Sequence, residues 1–154
     1  MERASLFLAD SPFINSHHKR MIEKTLVLLA VACTLSTAQQ APTSEVFLGT
    51  MFPLSHGVGG SVYAIDDQTI RVRNLNYDGQ APDAYFWVGS TARPDANGTP
   101  LADEKGSTSP LKGYRNANVV LHLPAGITVR QIKHFGIWCK KFKENMGYAS
   151  VSVN

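Results

Sequence analysis

No stretch after residue 45 keeps a helical period, and this limits the fold more than any other feature of the chain. Each apolar run is cut off by turn residues within a strand's length. In Thr69–Leu75 (TIRVRNL) the side chains alternate: Ile70, Val72 and Asn74 fall on one side, Arg71, Arg73 and Leu75 on the other. A two-residue period marks a strand with one wet face. Val46–Met51, Ser61–Ile65, Ala84–Val88, Val119–Leu123, His134–Phe142 and Ala149–Val153 read as further strands, with Thr128–Ile132 as another or a short edge. Asp66-Asp67-Gln68 makes a short hairpin connection, and Tyr77-Asp78-Gly79 a turn. The longest loop runs from Gly89 to Gly113. The expected fold is all-β: a single β-sandwich or barrel-like domain of seven or eight short, mostly antiparallel strands.

A signal peptide is expected to precede that domain. From Met21, a charged start (Glu23, Lys24) leads to an apolar run, Thr25–Leu35, and to small residues ending at Ala38. That is the layout of a secretory signal cleaved after Ala38. The run is too short for a membrane span, which needs about 20 residues. Residues 1–20 read as a long leader or as untranslated, with Met1 and Met21 both open as the start. Residues 1–38 are therefore set apart from the fold, 39–45 read as a disordered lead, and 46–154 as the domain. The full chain carries a net charge of +3. Arg3, Lys19, Arg20 and Lys24 would leave with the signal, as would Glu2, Asp10 and Glu23, so the exported chain has no nucleic-acid footprint.

Export also bears on the cysteines. Cys33 lies in the apolar run and would be removed, leaving Cys139 alone: a free thiol, an intermolecular disulfide or a ligand. In a strand, Cys139 shares a face with Phe135 and Ile137, which suits a buried sulfur packed as a small hydrophobe. Lys140, Lys141 and Lys143 open the other reading, a thiol made reactive by nearby positive charge. Asp78 and Asp83 bracket a turn, where they either bond backbone N–H groups or bind a ligand. Tyr85 and Trp87 share one face of the aromatic strand. They belong to the core or form a flat surface for sugar rings. Asn97-Gly98-Thr99 is a glycosylation acceptor pattern, weakened by Pro100. No nucleophile, base and orienting group can be assembled for hydrolysis.

The segments LSHGVGGSVYAIDDQTIRVRNLNYDG, APDAYFWVGS, LKGY, VVLHLPAGITVRQIKHFGIWCKKF and MGYASV follow the order of the DM-thirteen domain family, the Skeletor-type domain. The resemblance covers about Phe47 to Val153. It implies a small, extracellular, mostly β domain, often beside a DOMON domain that can bind haem or sugar. It also implies a characteristic cysteine, here Cys139, acting in electron transfer as a bare thiol or by holding a prosthetic group. Arthropod relatives organise or protect cuticle chitin. If haem is held, His56 is the candidate second ligand, because backbone in its glycine-rich loop can approach a ligand closely; otherwise it is a turn histidine bonding its own loop. The chain departs from the family pattern in showing the domain alone, so a DOMON-type redox partner would come from another chain. The expectation is a secreted electron-transfer module centred on Cys139, not a stand-alone enzyme. The alternative is a non-catalytic matrix module binding cuticle or other polysaccharide, without nucleic acid or a membrane span.

Overall fold

The computed structural model describes residues 44–153. The expected signal segment, Cys33 and most of the lead lie outside them. Among the described residues, nine strands form two antiparallel sheets, and there is no helix. They are β1 (Val46–Thr50), β2 (Phe52–Pro53), β3 (Gly59–Ala64), β4 (Thr69–Tyr77), β5 (Ala84–Gly89), β6 (Thr99–Leu101), β7 (Tyr114–His122), β8 (His134–Cys139) and β9 (Glu144–Ser150). The order is β1-β3-β4-β7 in one sheet and β2-β9-β8-β5-β6 in the other. The sheets face each other as a sandwich and do not close into a barrel.

The strand count exceeds the expected seven or eight because two short strands escape periodicity. β2 has two residues, and β6 lies inside the segment read as one long loop. Thr128–Ile132 is not a strand. It coils into a turn in which the Gln131 carboxamide oxygen accepts from the Thr128 N–H at 2.8 Å, and Val129 and Ile132 bury themselves in the core.

The alternation in β4 breaks where the sequence expectation does not. Ile70 and Val72 point into the core as expected, but Leu75 joins them and Asn74 is exposed. The β4–β7 pairing slips between Val72 and Leu75, and Asn74 adopts φ +52°. One extra residue in a strand reverses every following side chain. Asparagine tolerates the left-handed conformation, and here Asn118 Oδ1 accepts from the Asn74 N–H at 3.2 Å while Asn76 Oδ1 accepts from the Asn116 N–H at 3.0 Å. The bulge therefore delivers Leu75 and Tyr77 to the interior.

Phe86 and Phe135 stack at 5.7 Å in the middle of the sandwich. Each fully buried side chain of this size contributes roughly 1.5–3 kcal/mol. At the N-terminal edge, Glu45, the last residue of the expected lead, is clasped by the Arg71 and Arg73 guanidiniums. Every residue of β8 is buried, since its inner side chains meet the opposite sheet and its outer ones lie under aromatic rings and a loop.

Candidate functional site

Cys139 ends β8 with its sulfur in the core and only 1% of the residue exposed. It stands opposite Ala84 on one side and Glu144 on the other. The strand end is pinned by the Lys140 N–H donating to the Asp83 carbonyl at 3.0 Å. Two of the lysines that follow turn away from the sulfur. Lys140 lies on the opposite face, its Nζ 4.1 Å from the Tyr85 ring centre, and Lys141 lies over Phe142. Cation–π contact holds them on the outside. Of the two readings of Cys139, the geometry is that of the buried sulfur. At 1% exposure it meets no second chain unless the sandwich opens, which also removes the support for an intermolecular disulfide.

One residue missed in the sequence shares its corner. Tyr77, at the end of β4, is buried, and its hydroxyl oxygen accepts from the Ala81 N–H at 3.2 Å. Because Ala81, Asp83 and Ala84 are close in sequence, and the latter two flank Cys139, phenol and sulfur occupy one end of the core. Burial raises the Tyr77 pKa above its ordinary value, the Ala81 N–H opposes this, and the charges of Asp78 and of an ionised Cys139 add to the rise. The sequence gives no sign of this because NYDG reads as a turn; only the bulge carries the Tyr77 ring inwards.

The Tyr77 ring meets the edge of the His56 ring, with centroids 6.2 Å apart at 65°. His56 Nδ1 lies 3.0 Å from Asp78 Oδ1 and 3.1 Å from Oδ2. A carboxylate only accepts, so Nδ1 carries the proton and Nε2 is the ring's free nitrogen. The backbone doubles the link, with the Asp78 N–H donating to the His56 carbonyl at 3.0 Å. His56 takes φ +54°, a conformation that His adopts only when its surroundings over-determine it. Chiefly the Gln80 N–H, and then His56, hold the Asp78 pKa down against slight burial. These residues line a cavity of about 440 Å³ together with Asn76, Gly113, Tyr114 and Arg115.

His56 and Asp78, suggested separately by the sequence, are thus one unit, with Tyr77 between it and the Cys139 corner. Asp83 stands apart, accepting from the Tyr85 hydroxyl at 2.9 Å. Tyr85 is half-buried. Trp87 is 4% exposed: it stacks on Trp138 at 5.9 Å, and its Nε1–H donates to the Asp95 carbonyl at 2.9 Å. The paired flat surface imagined for Tyr85 and Trp87 is therefore covered over Trp87 by the 95–98 turn. Gly98 makes that cover possible, since a Cβ there would stand 2.1 Å from Trp87 Nε1. Asn97 is exposed in the same turn, its N–H held by Asp95 Oδ1 at 2.8 Å.

Haem shared by His56 and Cys139 does not fit this arrangement. His56 lines a surface cavity that Cys139 does not reach, and the sulfur is enclosed by close-packed hydrocarbon. Among the described residues, no three His, Cys, Asp or Glu side chains cluster to hold a metal ion, and no helix is long and apolar enough to cross a membrane.

Comparison with known proteins agrees with the sequence resemblance. A family model described as "Electron transfer DM13" matches residues 51–151. Protein Skeletor, isoforms B/C, of Drosophila melanogaster is 46% identical over 131 residues, covering 83% of this chain and 17% of its own. Isoforms D/E of the same protein match at 46% identity, with 9% of their length covered. The chain thus spans less than a fifth of the length of these curated relatives. No solved structure matches significantly. A family match that takes in every strand but β1, together with a relative this similar, means that the chain belongs to the DM13 family of electron-transfer domains.

Proposed function

We propose that this chain is a secreted electron-transfer module in which Cys139 is the interior centre and Tyr77, with the His56–Asp78 pair, is its route to the surface. The observation that carries this reading is the placement of Tyr77, sealed in the core at the Cys139 corner yet edge-on to His56 in a solvent-facing cavity. Thiol–disulfide exchange needs contact between sulfurs, which a sulfur enclosed in the core does not offer. Electron transfer needs no contact, and an aromatic ring between sulfur and surface shortens each step.

In the net reaction the Cys139 thiol gives one electron and one proton. The electron passes through Tyr77 to a high-potential one-electron oxidant on another chain, such as a DOMON-type partner. The proton leaves by way of the Tyr77 phenol to water in the cavity that Tyr77 and His56 both line. The family description supports the class of activity, and the apolar run before residue 38 supports export. Flash-generated ruthenium(III) tris-bipyridine supplies the oxidant for a test. The tyrosyl signal lost in Tyr77→Phe is expected to live longer in Cys139→Ala than in the wild type. Equal lifetimes would remove Cys139 as its donor.

A polysaccharide-binding reading keeps one supporting observation. Phe52, 63% exposed, pairs with Tyr148 on the outer face of the sheet that also carries Tyr85. Retention on chitin that is unchanged in Phe52→Ala, Tyr148→Ala and Tyr85→Ala together would end it.

A further inference from the structure

The outer face of β8 holds a histidine that the electron route does not use. His134 is 0% exposed. Its Nδ1 lies 2.7 Å from the Thr91 carbonyl oxygen, which can only accept, so Nδ1 carries the proton. Its Nε2 is buried and has no hydrogen-bond partner. The Cε1–Nε2 edge of the ring meets Gly89 of the neighbouring strand, where a Cβ would stand 2.6 Å from Cε1 and 2.9 Å from Nε2. The niche is thus filled from below by backbone and roofed by the segment that Thr91 begins.

That segment is fastened to the sheet face by two bonds to its own carbonyls. His134 Nδ1–H holds Thr91, and Trp87 Nε1–H holds Asp95. The buried Pro94 lies between them. Beneath are the stacked faces of Trp87 and Trp138, 4% and 6% exposed.

We propose that residues 91–98 form an acid-released strap: a proton taken up at His134 Nε2 expels the ring from its niche, frees Thr91 and uncovers the Trp87–Trp138 pair. The reason is hydrogen-bond bookkeeping. The neutral ring needs one acceptor, and Thr91 provides it. The cation carries a second N–H, for which the niche offers no acceptor, and an unsatisfied charged donor in the interior is among the costliest of buried groups. Solvent satisfies it once the strap lifts.

The charged groups around the ring do not supply an alternative. β5 contributes Gly89 and Trp87, and β9 contributes Ser150, none of which titrates near neutrality. The strap contributes Arg93, exposed, and Asp95, whose Oδ1 is already engaged by the Asn97 N–H. Lys133 precedes the ring and adds positive charge. Burial, the largest influence, holds the His134 pKa below its usual value of about 6.5, while the Thr91 carbonyl and the Asp95 charge act in the opposite direction. A depressed histidine pKa means that the closed form is fully stabilised above about pH 6.5 and loses that advantage as pH falls towards the closed-state value. Release therefore belongs to solution more acidic than about pH 6.5.

The experiment is hydrogen exchange of the whole protein between pH 7.5 and 4.5, corrected for intrinsic rates, alongside acrylamide quenching of tryptophan fluorescence. Exchange in residues 91–98 and quenching are expected to rise together below pH 6.5 by at least tenfold and twofold respectively, while β8 stays protected. His134→Gln, which keeps a donor for Thr91 but does not titrate, is expected to abolish the pH dependence. Should that variant not fold, nitrogen NMR of the wild-type imidazole replaces it, and strap opening must track protonation of His134. A flat profile, a profile unchanged in His134→Gln, opening at a pH where His134 does not titrate, or loss of β8 protection in parallel would each overturn the proposal.

Discussion

Replacing Cys139 by serine is expected to destabilise the fold more than replacing it by alanine, although serine is closer in shape. The sulfur sits in apolar surroundings at 1% exposure, next to the Ala84 row and at the Tyr77 corner. Deleting it in Cys139→Ala removes one heavy atom from a packed interior, a loss of about 1 kcal/mol. Cys139→Ser keeps most of the volume but buries a hydroxyl that must give up water, at about 1–3 kcal/mol on top of the lost sulfur contact. The serine variant should therefore lie about 1–3 kcal/mol below the alanine variant in urea unfolding, with unchanged m-values. The same burial sets the rate of native thiol labelling. If the sulfur is reached only by global opening, a domain stable by about 5 kcal/mol slows labelling roughly 4,000-fold relative to the unfolded chain. A serine variant as stable as alanine, or labelling within tenfold of the unfolded rate, would refute the enclosed-sulfur geometry. The interior electron route would fall with it.

Leu75→Ala, at a position the alternating pattern puts outside, is expected to cost about 2–5 kcal/mol in denaturant unfolding; a surface-like loss under 0.5 kcal/mol, roughly the size of ordinary surface changes, would mean the β4 bulge is misplaced. Asn74→Ala tests the same bulge from its strained residue and is expected to cost about 1 kcal/mol, because alanine resists φ +52°. Alkaline unfolding is expected to begin above about pH 10. Tyr77 and Tyr114 have pKa values raised mainly by burial, so their protonated forms stabilise the fold below the unfolded value, and that stability is lost as pH climbs past it. Ultraviolet titration in which all the tyrosines ionise normally, without unfolding, would contradict this.

The sequence makes the sandwich legible because most strands carry their own pattern. Ile70 and Val72 announce a buried face, and AYFWV and HFGIWC are too apolar to lie anywhere but inside. What it conceals follows from the same logic. β2 and β6 are held by pairing with neighbours rather than by any period of their own, and the bulge at Asn74 resets the alternation that a reader would extend. His56 and Asp78 are both visible as turn residues 22 apart, but their union depends on β3 returning beside β4 with Gly59 opposite Asn76. Tyr77 and His134 stay hidden for a further reason. Their roles come from missing solvent and missing partners, which no residue type reveals. Cys139 stands out in the sequence, yet its lysine neighbours suggest an exposure that Lys140, turned over Tyr85, does not give it.

The alternation of β8 also separates two kinds of chemistry. His134, Gly136 and Trp138 face outwards, while Phe135, Ile137 and Cys139 face the opposite sheet. Loosening the 91–98 strap therefore leaves the sulfur where it was, and Gly98→Ala tests the separation. Its new Cβ collides with the Trp87 indole, which Trp138 backs from the other side, so the 95–98 turn must lift. Overpacking of this kind costs about 1–3 kcal/mol, and tryptophan fluorescence is expected to shift to the red as Asp95 releases Nε1. Cys139 labelling is expected to quicken only as far as that global loss dictates, about 5- to 150-fold. Acceleration far beyond that range would show that the strap guards the thiol as well. Electron flow through the core and acid release at the surface would then be one device and not two.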